Sequence, residues 1–380
     1  MPRLLLWLLC SLPAAACAAP LDLLVGSYTA PDAPGIHGFR FDPARGRLER
    51  TPWQSVRLDN PSWLVVSPDQ RQVYAINENG PGQPDPVGRV SRLEMDAQHR
   101  LSLRERVSTL SDHPTHGSLS PDGRYLFVAN YSGGADPGGL LAVLPLDAGG
   151  RLQPVTQVAA YQASGVDPER QASSHVHAAV VAPDGRHVLA TDLGGDRVHV
   201  YAYDPAASAE RPLRPAASVP LPAGSGPRHL VFDRSGRHAY LTLEMSGQLA
   251  WLDYAGGTLE LRGVVDLFAP GFAGGNGAGA LHFSPDGRWL YVVNRGDDNH
   301  LAAFAIDADS GAPTRIQRRA LGGRQAREFT FSPDGRFLLV ALQGEDRIDV
   351  LARDPATGLI GRTLQQVASP APSYLQFLAD

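Results

Sequence analysis

The chain has 380 residues, 40 of them Gly and 32 Pro, and a formal net charge of −5. This mildly acidic balance leaves no electrostatic footprint for nucleic acid. All 34 basic residues are Arg, which excludes Schiff-base chemistry and the lysine of a nucleotide-binding P-loop.

At the start, Arg3 precedes an apolar run over residues 4–9, and a small-residue stretch follows. Ala16 and Ala18 fit an A-x-A cleavage site. The pattern predicts a secretory signal peptide over 1–19, a mature chain over 20–380, and export, most simply to the periplasm. Acylation at Cys17 is the weaker alternative, because Ala14 stands where a larger aliphatic is usual. Both cysteines, Cys10 and Cys17, fall in this segment, so the mature body is expected to lack disulfides and thiol nucleophiles. No other apolar run is long enough to span a bilayer.

Residues 21–28 read as a strand, and 35–41 and 47–50 as two more. A turn sequence then recurs at 67–71, 120–124, 182–186, 233–237, 284–288 and 332–336, three times as Ser-Pro-Asp-Gly-Arg and otherwise as a close variant. Pro presets φ, Asp caps the turn, and Gly takes positive φ, so the motif is structural. A short β-branched or aromatic strand precedes each turn, and two or three follow it. Four strands in about fifty residues make a propeller blade. Residues 372–377 resemble 61–64, a first strand with nothing after it. Pairing that C-terminal strand with the N-terminal ones supplies a seventh blade. The expected fold is all-β: a seven-bladed β-propeller, four antiparallel strands per blade, with the ring closed by the C-terminal strand.

In such a blade the first strand lines the channel, so the residues farthest from the turns share one mouth. Five positions before each turn stand Ser62, Thr115, His177, Arg228, Gly279 and Arg327, with Ser373 in the closing strand. One position later stand Trp63, His116, Ala178, His229, Ala280, Glu328 and Tyr374. At the end of the second strands stand Asn77, Asn130, Asp192 and Asn294, expected to bond backbone, followed by Glu78, Tyr131, Glu244 and Arg295. Ionisable residues from several blades thus converge where apolar ones belong. His175 and His177 alternate on one strand, but no third ligand has diagnostic spacing, so neither a metal nor an organic cofactor is expected.

Residues 60–62 with 77–78, 129–134, 174–177 with 192–194, 226–229, 294–296 and 327–329 together resemble the lactonase family of seven-bladed propellers. That family includes propeller-type 6-phosphogluconolactonases and carboxy-cis,cis-muconate cyclases. The resemblance implies a catalytic set of His177, Arg228, Glu244 and Arg295, the cluster the positions at the mouth also give, and those positions add Glu78, His116, His229 and Arg327, with the neighbouring His175, as substrate-binding candidates. One departure is Ala280, where the family often carries an acid. The implied activity is hydrolysis of a sugar-acid lactone by general-base activation of water, Glu244 or His177 being the base. Export favours an unphosphorylated aldonolactone over a cytosolic phosphate ester. The alternatives are a muconate-type lactonising cyclase and a non-catalytic binding ring. The partner is a small lactone or organic acid, and a monomer is compatible with the sequence.

Overall fold

The computed structural model describes residues 19–30, 33–134 and 140–379. The predicted signal segment, apart from Ala19, lies outside the described residues. Seven antiparallel sheets stand in a ring, in the expected order. Blade 1 combines Pro372–Phe377 from the C-terminus with Leu21–Ser27 and Pro34–Asp42. Its fourth position is shared by Arg47–Leu48 and Gln54–Arg57, both paired to Pro34–Asp42, where the sequence suggested one strand. Blades 2 to 7 begin with Pro61–Val66, Asp112–Leu119, Val176–Val181, Pro227–Phe232, Asn276–Phe283 and Ala326–Phe331. Each of these strands packs beside the next around the channel, and Pro372–Phe377 bridges the last to the first.

The apolar core is not central. It forms seven layers, each between two neighbouring blades. Leu23, Phe39 and Phe41 of blade 1 pack with Phe337, Leu339 and Val350 of blade 7, for example. Tyr74 and Ile76 of blade 2 pack with Leu126 and Val128 of blade 3. Burying side chains between blades leaves the channel free for polar groups.

The turns behave as their residues dictate. Gly123, Gly185, Gly236, Gly287 and Gly335 take φ between 65° and 70° or, for Gly287, 74°. Gln70, at the one turn of the six without Gly in this place, still adopts φ 55°. Its side chain exchanges bonds with Ala379 at 2.9 and 3.0 Å, which ties the closing strand down.

One irregularity positions the site. In every blade the pairing of the innermost strand with the second slips once, at the end remote from the turns. The extra residues are Ser373, Ser62, Thr115, His177, Arg228 with His229, Gly279 with Ala280, and Arg327. A bulge bends its strand and re-aims a side chain. Six of the seven bulges therefore bring a side chain to one neck of the channel, and the seventh, at Gly279 and Ala280, leaves room there.

Candidate active site

The mouth is built from the bulges and from the residues that end the second strands. Glu244 follows the strand His238–Leu243 and is fixed by its N–H donating to the Gly226 carbonyl at 2.7 Å. Gly226, at φ 65°, belongs to a turn held by Asp196, whose Oδ1 accepts from the Gly226 N–H at 2.9 Å and whose Oδ2 accepts from the Gly224 N–H at 2.7 Å. That turn leads directly into Arg228. Neighbouring blades thereby set the mutual placement of the two residues.

Glu244 gathers three cations. Arg295 Nη2 donates to Oε2 at 2.9 Å, and Arg170 Nη2 donates to Oε1 at 2.8 Å. Arg228 Nε lies 2.9 Å from Oε2, but at an angle that makes an ion contact without a hydrogen bond. Arg228 is 1% exposed, and its Nε and Nη1 have no hydrogen-bond partner. A second ion pair forms the opposite wall. Glu78 Oε2 accepts from the Tyr28 hydroxyl at 2.6 Å and from Arg327 Nη2 at 3.2 Å. Arg327 also lies 5.0 Å over the Tyr28 ring.

Burial and these charges fix protonation. Burial alone would raise the Glu244 pKa, but Arg295 and Arg228 outweigh it and hold the carboxyl well below its usual range. Burial, then Arg228, holds the His177 imidazole well below its usual range, so it is neutral. Burial and the nearby Arg295 push Arg228 down to about 9, against the pull of Glu244. Beneath the mouth, His116 and His229 form a floor with Trp63 and Tyr374. The Trp63 ring centroid lies 4.2 Å from His116, 5.4 Å from His229 and 4.3 Å from Tyr374. Burial, then Arg228, lowers His116 to about 3 and His229 well below its usual value. His116 Nδ1 accepts from the Ala179 N–H at 3.4 Å, as a neutral ring can.

The structure thus brings together His177, Arg228, Glu244 and Arg295, and sets Glu78 and Arg327 across from them. His116 and His229 lie one layer deeper. His175 stands apart: its ring stacks on Tyr131 at 4.3 Å, and Nδ1 donates to the Tyr131 carbonyl at 2.6 Å. The bulge at His177 breaks the strict alternation that would have put both imidazoles on one face. Among the described residues no three His, Cys, Asp or Glu side chains converge as a metal site. The Asn column bonds backbone as expected: Asn77 Nδ2 donates to the Asp59 carbonyl, and Asn294 Oδ1 accepts from the Gly277 N–H.

Two mouth residues escape the column count. Tyr28 occupies the place of Glu78 in blade 1, but no turn precedes its strand to count from. Arg170 comes from the connection before Val176–Val181, and the longest interval between successive turns, from 120 to 182, was its signal.

A closed seven-bladed ring with arginines, carboxylates and neutral imidazoles buried at one mouth defines a propeller with a small-molecule site. The sequence matches the "Lactonase, 7-bladed beta-propeller" family over residues 22–377, and the chain belongs to that family. Its fold is similar to that of the Pseudomonas aeruginosa periplasmic gluconolactonase, with a TM-score of 0.91 and 51% identity, covering 95% of this chain and 99% of that one. It is also 29% identical to the 6-phosphogluconolactonase of Bacillus subtilis strain 168, over 93% of this chain and 97% of that protein. A 6-phosphogluconolactonase of Formosa agariphila is 28% identical, with coverage of 93% and 98%.

Proposed function

We propose that the protein hydrolyses the internal ester of a sugar-acid lactone, with an unphosphorylated aldonolactone as the preferred class. The observation that carries this reading is Arg228, a buried guanidinium paired through Nε with Glu244 and with no hydrogen-bond partner on Nη1, beside the neutral His177. Ester hydrolysis needs donors where negative charge develops on the carbonyl oxygen, and a base for the attacking water. Arg228 supplies the donors, with Arg295 beside it. Both oxygens of Glu244 already face guanidinium groups, so His177 is the better-placed base. Water bonds to the carbonyl carbon as His177 takes its proton. The imidazolium is disfavoured beside Arg228, so it readily returns that proton to the departing ring oxygen. Glu244 steadies the imidazolium and keeps the arginines in register. Arg327, Glu78 and Tyr28 form the wall that meets the substrate hydroxyls.

Export supports the unphosphorylated class, and it rests on the cleavable N-terminal pattern and on the likeness to a periplasmic gluconolactonase. No helix among the described residues is long and apolar enough to cross a membrane. The test compares opening of D-glucono-1,5-lactone and its 6-phosphate by the wild type and Arg228→Gln. Faster turnover of the unphosphorylated lactone, lost in the variant, is expected. Preference for the phosphate would overturn the substrate class, and equal activity of the variant would remove Arg228 from the reaction.

A further inference from the structure

Three of the seven bulge residues carry hydroxyls, and their fates differ. Thr115 Oγ1 donates to the His177 carbonyl at 3.1 Å. Ser373 Oγ donates to the carbonyls of Gly26 at 3.1 Å and Ser62 at 3.3 Å. Ser62 Oγ is buried with no hydrogen-bond partner. The same is true of His177 Nδ1 and of Arg228 Nε and Nη1. Ser62 and His177 are each 4% exposed, and Arg228 1%. All three residues line the same neck of the channel, with Thr115, Trp63 and His229. Leaving one buried polar group unpaired costs about 1–3 kcal/mol, so side chains with unpaired groups around one space call for a shared ligand. The neck has room for about one water, far less than a sugar ring. The space adjoins the aromatic floor that Trp63 and His229 share beneath the mouth.

We infer that this neck is a water-binding site, and that Ser62 presents its water from below to a lactone held in the mouth. The inference rests on the lactonase reading. Ser62 Oγ and Arg228 Nη1 anchor the water, and its free proton faces His177. The water oxygen bonds to the lactone carbonyl carbon while His177 accepts the proton, and the carbonyl electron pair moves to oxygen beside Arg228. Collapse breaks the bond from that carbon to the ring oxygen, which takes the proton from His177. The new carboxylic acid releases its own proton to solvent. Ser62 thereby becomes a further residue of the reaction, and the channel neck explains why the nucleophile is water: nothing larger fits there.

The test measures D-glucono-1,5-lactone hydrolysis, D-gluconate binding and methanol partitioning in the full chain. Ser62→Ala should lower kcat about tenfold with KM little changed, the loss of one hydrogen bond. The larger neck should also raise the ratio of methyl ester to acid when methanol is added. Ser62→Val, whose methyls occupy the neck, should lower kcat on the order of 10²-fold while gluconate still binds. Wild-type kcat in both variants, or a loss that tracks lost gluconate binding in both, would overturn the water site. Absence of lactone opening by the wild type would instead overturn the functional reading, and this inference with it.

Discussion

The two ends of the ring use the same charged residue types in opposite ways. At the turn end the carboxylates serve their own turns first, and only Asp122 and Asp184 of the turn aspartates also accept a tyrosine hydroxyl from the next blade. Asp69, Asp122, Asp286 and Asp334 each accept a hydroxyl from the turn serine at 2.6 Å. Each also accepts the N–H of the following arginine, at 3.1 to 3.2 Å. At the mouth the carboxylates reach between blades: Glu244 meets cations of blades 5 and 6 and of the connection entering blade 4, and Glu78 meets groups of blades 1 and 7. Local pairing repeats because every blade needs a turn. Ion pairing between blades at the mouth does not repeat, and there the chain holds buried charge with unused hydrogen-bonding capacity. Departure from the repeat, more than charge itself, marks the site.

The strongest way to break this contrast is to neutralise the hub of the mouth. Glu244→Gln leaves Arg228 and Arg295 buried without their counter-ion. Removing one partner of a buried ion pair costs about 3–5 kcal/mol, so denaturant unfolding should shift to much lower concentration. Loss of the oriented arginines should lower kcat/KM for an aldonolactone on the order of 10³-fold. Steady-state kinetics and equilibrium unfolding check both. Near wild-type kinetics would mean that the arginines need no anchor.

Acid should strike the mouth before the turns. The unfolded chain protonates His116, His177 and His229 near the usual 6.5, whereas the folded mouth keeps all three neutral. The unfolded state then binds more protons, and stability falls as pH drops. The contribution of His116 is fully present above 6.5 and is lost progressively down to its folded value of about 3. His116→Asn, which can still accept from the Ala179 N–H, should flatten the dependence of thermal midpoint on pH between 6.5 and 4.5. An unchanged slope would place the acid sensitivity elsewhere.

Much of this was legible before the structure because a propeller turns sequence offset into height along the channel. Counting back from Ser67 or Ser284 lands on the bulged residue of each blade, even though the bulges themselves leave no residue signature. The count failed where its ruler was missing. Tyr28 has no turn ahead of it, and Arg170 lies on a connection whose path no offset determines. Orientation was the other gap. His175 and His177 look alike in sequence, and only the bulge at His177 separates a mouth residue from one stacked on Tyr131.

Arg170 permits a smaller test at the rim. It is more exposed than its partner, 45% against 12%, yet Glu244 raises its pKa despite partial burial. Arg170→Ala leaves Arg228 and Arg295 on Glu244, so folding should be nearly unaffected and kcat/KM should fall by no more than about tenfold, in line with an exposed pair worth about 1 kcal/mol. A loss as large as that of Glu244→Gln would make the rim part of the chemical machinery.

The smallest effect is expected at the turn end, where it is most diagnostic. Burial tends to raise the pKa of Asp286, but bonds from Ser284 and Arg288 overcome it and bring the value down to about 2. Its stabilisation is complete above the ordinary 3.8 and is lost as pH falls through about 2, whereas the His116 contribution already declines from 6.5. Asp286→Ala removes the acceptor for the Ser284 hydroxyl and the Arg288 N–H in a solvated turn, so the cost should be about 0.5–1.5 kcal/mol. Because the turn lies at the far end of its strands from the mouth bulges, lactone kinetics should match wild type at neutral pH. A fall in kcat without a matching fall in stability would mean that the two ends are coupled through the blade, and that repetition of a residue does not by itself assign it to structure.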